Sequence, residues 1–126
     1  MRTRYKMALA MLAGAGLGAG AIQALHAQAK PPAYVITEVD IIDQAAFKEF
    51  SPQVGKTVEA SGGKYLSRGG KIVALEGEAP KRVVLSVFPS VEAAQAWRSS
   101  AAWNELTPLR EKAVKTRAFI AEGTTE

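Results

Sequence analysis

No stretch of the sequence limits the fold as tightly as Arg82-Val-Val-Leu-Ser-Val-Phe88. It is short, almost wholly apolar, rich in β-branched residues and closed by Pro89-Ser90, so it reads as a strand buried on both faces. A second strand is Tyr34-Val-Ile-Thr-Glu-Val-Asp-Ile41, with Val35, Val39 and Ile41 on one side and Tyr34, Ile36, Glu38 and Asp40 on the other. Between them Asp43 can cap a helix whose Phe47, Phe50, Val54 and Val58 recur every three or four residues. Ser51-Pro52 is expected to kink that helix or to open a second one, and Gly62-Gly63 to end it.

Lys64–Arg68 and Lys71–Glu76 read as a hairpin turning at Gly69-Gly70. After the buried strand, Ser90 caps a helix carrying Val91, Ala94 and Trp97 on one side, with Glu92 in its first turn. Trp97 is expected in the core. Ser99-Ser100 breaks that helix and can re-cap the next, whose stripe is Trp103, Leu106, Arg110 and Ala113, with a bend at Pro108. Thr116–Ala121 is the last strand. The fold class is therefore α+β: a ferredoxin-like split βαβ sandwich, with an antiparallel sheet and helices on one face. Ile36, Val84 and Phe88 are expected on the sheet face opposite Val39, Val83 and Leu85. Both faces then carry apolar residues, so the second needs a cover, and a second copy forming a homodimer provides one.

The N-terminus has the three parts of an export signal: the basic start Met1–Lys6, an uncharged apolar stretch from Met7 to about Ile22, and the small-residue end Ala27-Gln28-Ala29. Residues 1–29 are read as a signal peptide cleaved after Ala29, 30–33 as a proline-containing tether, 34–122 as the domain and 123–126 as a tail. The product would be periplasmic or secreted, touching the membrane only during export; an uncleaved leader would anchor it to the inner membrane. Gly16-Leu-Gly18-Ala-Gly-Ala21 matches a dinucleotide fingerprint, but no strand precedes it.

Charge argues against nucleic acid. The net charge is +4, yet Arg2, Arg4 and Lys6 carry three of the sixteen cations, leaving thirteen against twelve acids in the remainder. A domain so near neutrality lacks the positive field that phosphate backbones require. The chain has no Cys, and its one His, His26, lies in the leader. Disulfides, Ser-His-Asp and Cys-His catalysis, ordinary zinc sites and His-ligated haem are thereby excluded from the domain. No cofactor or metal is expected.

Gly62-Gly-Lys-Tyr-Leu-Ser-Arg-Gly-Gly70, Leu75-Glu-Gly77, Phe88-Pro-Ser-Val-Glu-Ala-Ala-Gln-Ala-Trp97 and Leu109-Arg110 together resemble the family called domain of unknown function 1330, within the dimeric α+β-barrel superfamily. The resemblance runs from about Tyr34 to Gly123 and implies a ferredoxin-like protomer in a dimeric barrel, with no established activity. Trp103 stands where the resemblance suggests tyrosine, and the leader is not a general family feature.

Arg68, at a strand end, and Arg110, on the stripe with Trp103, are candidates for holding a small anionic or carbonyl-bearing molecule, since guanidinium is a planar donor fork; Trp103 and Trp97 can line an apolar wall of such a pocket, and Tyr34 and Glu38 are further ligand-binding candidates. The competing reading pairs each arginine with a carboxylate such as Glu38 or Glu76. Tyr34, Tyr65, Glu38 and Asp40 are the acid–base groups near the sheet; Glu38, if desolvated, is the catalytic candidate. Three readings follow: a small-molecule-binding homodimer, a cofactor-independent enzyme of monooxygenase or isomerase type, and an interaction module without a ligand.

Overall fold

The computed structural model describes residues 30–125. The export leader, its cleavage point after Ala29 and His26 lie outside the described residues. Among the described residues no helix is long and apolar enough to cross a membrane.

The elements are β1 (Ala33–Ile41), α1 (Gln44–Ala60), β2 (Lys64–Arg68), β3 (Val83–Phe88), α2 (Val91–Ser99), α3 (Ala101–Asn104), α4 (Thr107–Ala113) and β4 (Val114–Glu122). The strands form one antiparallel sheet in the order β2-β3-β1-β4. This βαββαβ succession, with β1 and β3 in the centre, is the split βαβ arrangement.

Local chemistry sets the helix ends. Asp43 accepts a hydrogen bond from the Ala46 N–H at 2.9 Å, and Ser90 one from Ala93 at 3.1 Å. Ser100 caps α3 by accepting from Trp103 N–H at 3.2 Å. At the other end of α1, Gly62 takes φ +83°, and the N–H groups of Gly62 and Gly63 close back onto the carbonyls of Glu59 and Val58. That pair of bonds is a Schellman ending, which needs a residue free to turn left-handed.

Four expectations are corrected. First, α1 runs through Ser51 and Pro52 as one helix, so no second helix opens there. Pro52 and Lys48, whose carbonyl Pro52 cannot serve, are both exposed; water can satisfy that carbonyl while Phe50, Val54 and Val58 hold the buried side together. Second, Pro108 does not bend a helix: it sits in the first turn of α4, where its missing N–H has no intrahelical partner to lose.

Third, Lys71–Glu76 is not a strand. β2 pairs with β3 instead, and Gly69, at φ +78°, donates to the Val83 carbonyl at 3.0 Å before the chain leaves the sheet. Residues 70–82 form the connection, with Val73 and Leu75 at 68% and 94% exposure. The apolar β3 offers β2 a buried neighbour, and the Lys71–Glu76 segment offers none.

Fourth, the faces regroup. The register pairs Thr37 with Val84 and Ala33 with Phe88, so Val84 and Phe88 share the helix-covered face with Val35 and Val39. The opposite, open face holds Ile36, Val83, Leu85, Val87 and Phe119. A bulge between Tyr65 and Ser67 adds Leu66, half exposed.

The core lies between the sheet and the helices. Phe88 and Val58 are almost fully buried, and Trp97, 4% exposed, lies stacked 5.1 Å from Phe88 and tilted 5.0 Å from Trp103. Its indole N–H donates to Thr57 Oγ1 at 2.8 Å, which fastens α2 to α1 through a satisfied buried polar pair.

Candidate functional site

A cavity of about 70 Å³ opens between α1, the later helices and the sheet. One wall is aliphatic and aromatic, built from Phe47, Phe50, Val54, Val84 and Trp103. Into it reach four arginines, Arg68, Arg82, Arg98 and Arg110, and not one carboxylate is among the lining residues.

Each guanidinium lies over an aromatic ring. Arg68 sits 4.3 Å from the Tyr65 centroid and Arg82 5.0 Å from Phe47; Arg98 and Arg110 stand 4.3 and 5.4 Å from Trp103. Stacking of this kind supports the cation through the ring face and leaves the N–H edge free. Arg68 also donates through Nη2 to the Ser51 carbonyl at 2.5 Å and the Ser51 hydroxyl at 3.0 Å. Gly55 leaves room for it: a Cβ there would meet the guanidinium at 3.4 Å. The Nε groups of Arg82 and Arg110 are buried and have no hydrogen-bond partner. Among the described residues no carboxylate pairs with any of the four. Burial, and then the neighbouring charge of Arg110, hold the Arg98 guanidinium below its ordinary value.

Of the residues expected from sequence, Arg68, Trp103 and Arg110 therefore meet at this cavity, and their arginines pair with neither Glu38 nor Glu76. Tyr34 and Glu38 do not meet it. Tyr34 lies on the open sheet face, close against Gly123, where an added Cβ would come within 2.7 Å of its ring. Glu38 accepts from Arg117 Nη2 at 2.6 Å beside an open groove of about 360 Å³, where Lys81 and Asp40 also pair at 3.4 Å. That groove is larger, but its Glu38 and Asp40 are already paired with cations and it is open to solvent. Glu38 is thus an ion-paired surface carboxylate, away from the cavity.

Arg82 and Arg98 were not singled out by sequence. Arg82 opens the apolar strand and reads as its polar boundary, and Arg98 sits beside the Trp97 stripe on α2. Only the packing of α3 brings Trp103 under it.

The cavity lining carries cations and no carboxylate or imidazole base. No His, Asp or Glu lines the cavity to take a proton from its Thr37, Ser51, Ser86 and Thr116 hydroxyls. Burial pushes the Tyr65 phenol above its ordinary value of 10.0, with Glu59 adding to the rise and the Arg68 charge opposing it. Tyr65 at neutral pH is a donor. A folded-state value raised in this way contributes stability that is complete below pH 10 and is lost as pH climbs through the raised value. Tyr65→Phe is accordingly expected to remove one tyrosine's share of the phenolate absorbance in alkali, the part that develops at the raised pH, and to flatten the alkaline fall in Tm. An unchanged alkaline titration would contradict the burial of this phenol.

The family model for the domain of unknown function DUF1330 matches residues 32–124. The chain belongs to the DUF1330 family. No curated protein matches it. Among solved structures, a protein of unknown function from Rhodopseudomonas palustris is similar at 19% identity, over 82% of this chain and 92% of that one, with a TM-score of 0.62. A conserved protein from Methanosarcina mazei is similar at 18% identity, over 79% and 100%, with a TM-score of 0.50. At such identities the likeness establishes the fold alone. The DUF1330 match spans every element that builds the arginine cavity, from β1 to β4.

Proposed function

We propose that this DUF1330 protein is an exported, homodimeric binding protein for a small organic anion. The observation that carries the reading is the set of four guanidinium groups around an apolar cavity that contains no carboxylate. Arg82, Arg98 and Arg110 are partly buried and Arg68 is more exposed, and cations withdrawn from water are ordinarily paired. Here the missing counter-charge is the ligand, and the aromatic and aliphatic wall receives its carbon skeleton. The enzyme alternative finds no general base in the lining, and an interaction module without a ligand would have no use for unpaired buried guanidinium N–H groups.

The test compares short aliphatic carboxylates with their amides of the same shape, by thermal shift and calorimetry at low ionic strength. A carboxylate at a hundred times its Kd stabilises the fold by about 2.7 kcal/mol. The amide is expected to give almost no shift, and Arg110→Met to abolish the carboxylate effect. Equal shifts from acid and amide would sink the reading.

The dimer part rests on the open sheet face. Ile36, Leu85, Val87 and the 42%-exposed Phe119 form an apolar surface that a second copy can cover. Light scattering at micromolar concentration is expected to give twice the protomer mass, and Leu85→Asp to give a folded monomer. A wild-type monomer would overturn it. Export predicts that the chain recovered from a bacterial periplasm begins at Lys30, and full-length chain in the membrane fraction would replace cleavage with an anchor.

A further inference from the structure

The four guanidinium groups fall into two sets by their place in the fold. Arg68 and Arg82 stand where β2 and β3 meet, since Arg68 is in register with Val84 and the Arg82 guanidinium lies so near Gly69 that an added Cβ would strike it. Arg98 and Arg110 belong to the helical layer and share the Trp103 ring, on α2 and α4. Each set contains one buried Nε with no partner, Arg82 in the first and Arg110 in the second. A buried donor left unsatisfied calls for an acceptor. Two such donors, in two separate sets and on one cavity, call for two.

Charge counting agrees. A monocarboxylate neutralises one of four cations and leaves at least one set without a counter-ion. Two carboxylates give each set a counter-ion and each orphaned Nε an acceptor, in the forked geometry that guanidinium prefers. The same lining includes Val54, Val84, Phe50 and Phe47, which suits methylene groups. The volume of about 70 Å³ gives about five to seven water-sized positions at about 10–15 Å³ each, so only the shortest spacers suit it.

We propose that the cavity takes a small organic dianion, two carboxylates on a short apolar spacer, one held by Arg68 and Arg82 and the other by Arg98 and Arg110. This rests on the anion-binding reading above and narrows it. No bond is made or broken; the step is binding alone.

The experiment is calorimetry on the full dimeric protein at neutral pH and low salt, with succinate and glutarate against butyrate, and with sulfate as a dianion that has no carbon skeleton. The better diacid is expected to bind at least about tenfold more tightly than butyrate, the least that one further charge-assisted contact provides. Arg82→Gln and Arg110→Gln, made singly, should each bring the diacid down to the level of butyrate. Circular dichroism melts of both variants keep the result readable, because removing a cation from an unpaired set leaves the fold intact. Butyrate binding as tightly as both diacids overturns the dianion while the anion-binding reading stands. If sulfate alone binds, the carbon spacer is wrong, and if no anion binds, both proposals fall together.

Discussion

Trp97→Ala is expected to destabilise the fold by about 3–5 kcal/mol, the range for removing a buried aromatic side chain and leaving a cavity behind. Three contacts meet in that side chain. Its ring is stacked 5.1 Å from Phe88 of the central strand, it lies 5.0 Å from Trp103 of α3, and its N–H donates to Thr57 of α1 at 2.8 Å. The sheet, α1 and α3 thus lose a common partner, and the new void opens into the arginine cavity, whose lining includes Trp97. Against a total stability of about 5–15 kcal/mol this is a large share. Urea denaturation should show a fall in midpoint at nearly unchanged slope. Thr57→Val separates the polar part: it leaves the indole N–H buried without an acceptor, at about 1–3 kcal/mol. A loss under 1 kcal/mol for Trp97→Ala would mean that these layers are joined elsewhere.

How much of this could be read without the structure depends on the range of each interaction. The caps at Asp43, Ser90 and Ser100 and the ending at Gly62-Gly63 involve residues within five positions of each other, and local pattern finds them. Local pattern assigns β2 the wrong hairpin partner because that partner is decided by competition. Lys71–Glu76 has ordinary strand composition, but β3 can be buried on both faces, and no local rule weighs one against the other. The grouping of faces failed for a related reason. Alternation orders residues within a strand, whereas the ladder that sets Val84 opposite Thr37 fixes one strand against another.

The site divides the same way. Arg68, Trp103 and Arg110 were found because a strand end and a helical stripe point at the core. Glu38 was proposed for its chemistry alone, although its own strand parity put it opposite Val39, and the structure places it on that far side with Arg117. Arg98 and Arg82 carry no local mark. What singles them out is the absence of any carboxylate opposite them, a property of the assembled cavity and of no segment taken alone.

Gly63→Ala, a change of one methyl group, is expected to destabilise the protein by about 1–3 kcal/mol, as overpacking a close-packed core does. An added Cβ would lie 2.6, 2.7 and 2.9 Å from three carbons of the Phe88 ring. The backbone cannot easily withdraw, since the Gly63 N–H is held at 2.9 Å by the Val58 carbonyl that ends α1, and β2 begins at the next residue. Nor can the ring: Phe88 is 1% exposed and backed by Trp97. Propensity alone predicts the reverse sign, because glycine at an unstrained position is usually improved by alanine. The clash can be isolated with Phe88→Leu, which removes the outer ring carbons. Each substitution alone lowers stability, and the double variant should be more stable than the sum of the two losses implies, by about 0.5–3 kcal/mol for groups in contact. Strict additivity would show that the glycine serves the turn and not the ring. The predicted coupling would make Gly63 the position that lets Phe88, and through it Trp97 and the cavity wall, sit against the end of the first helix.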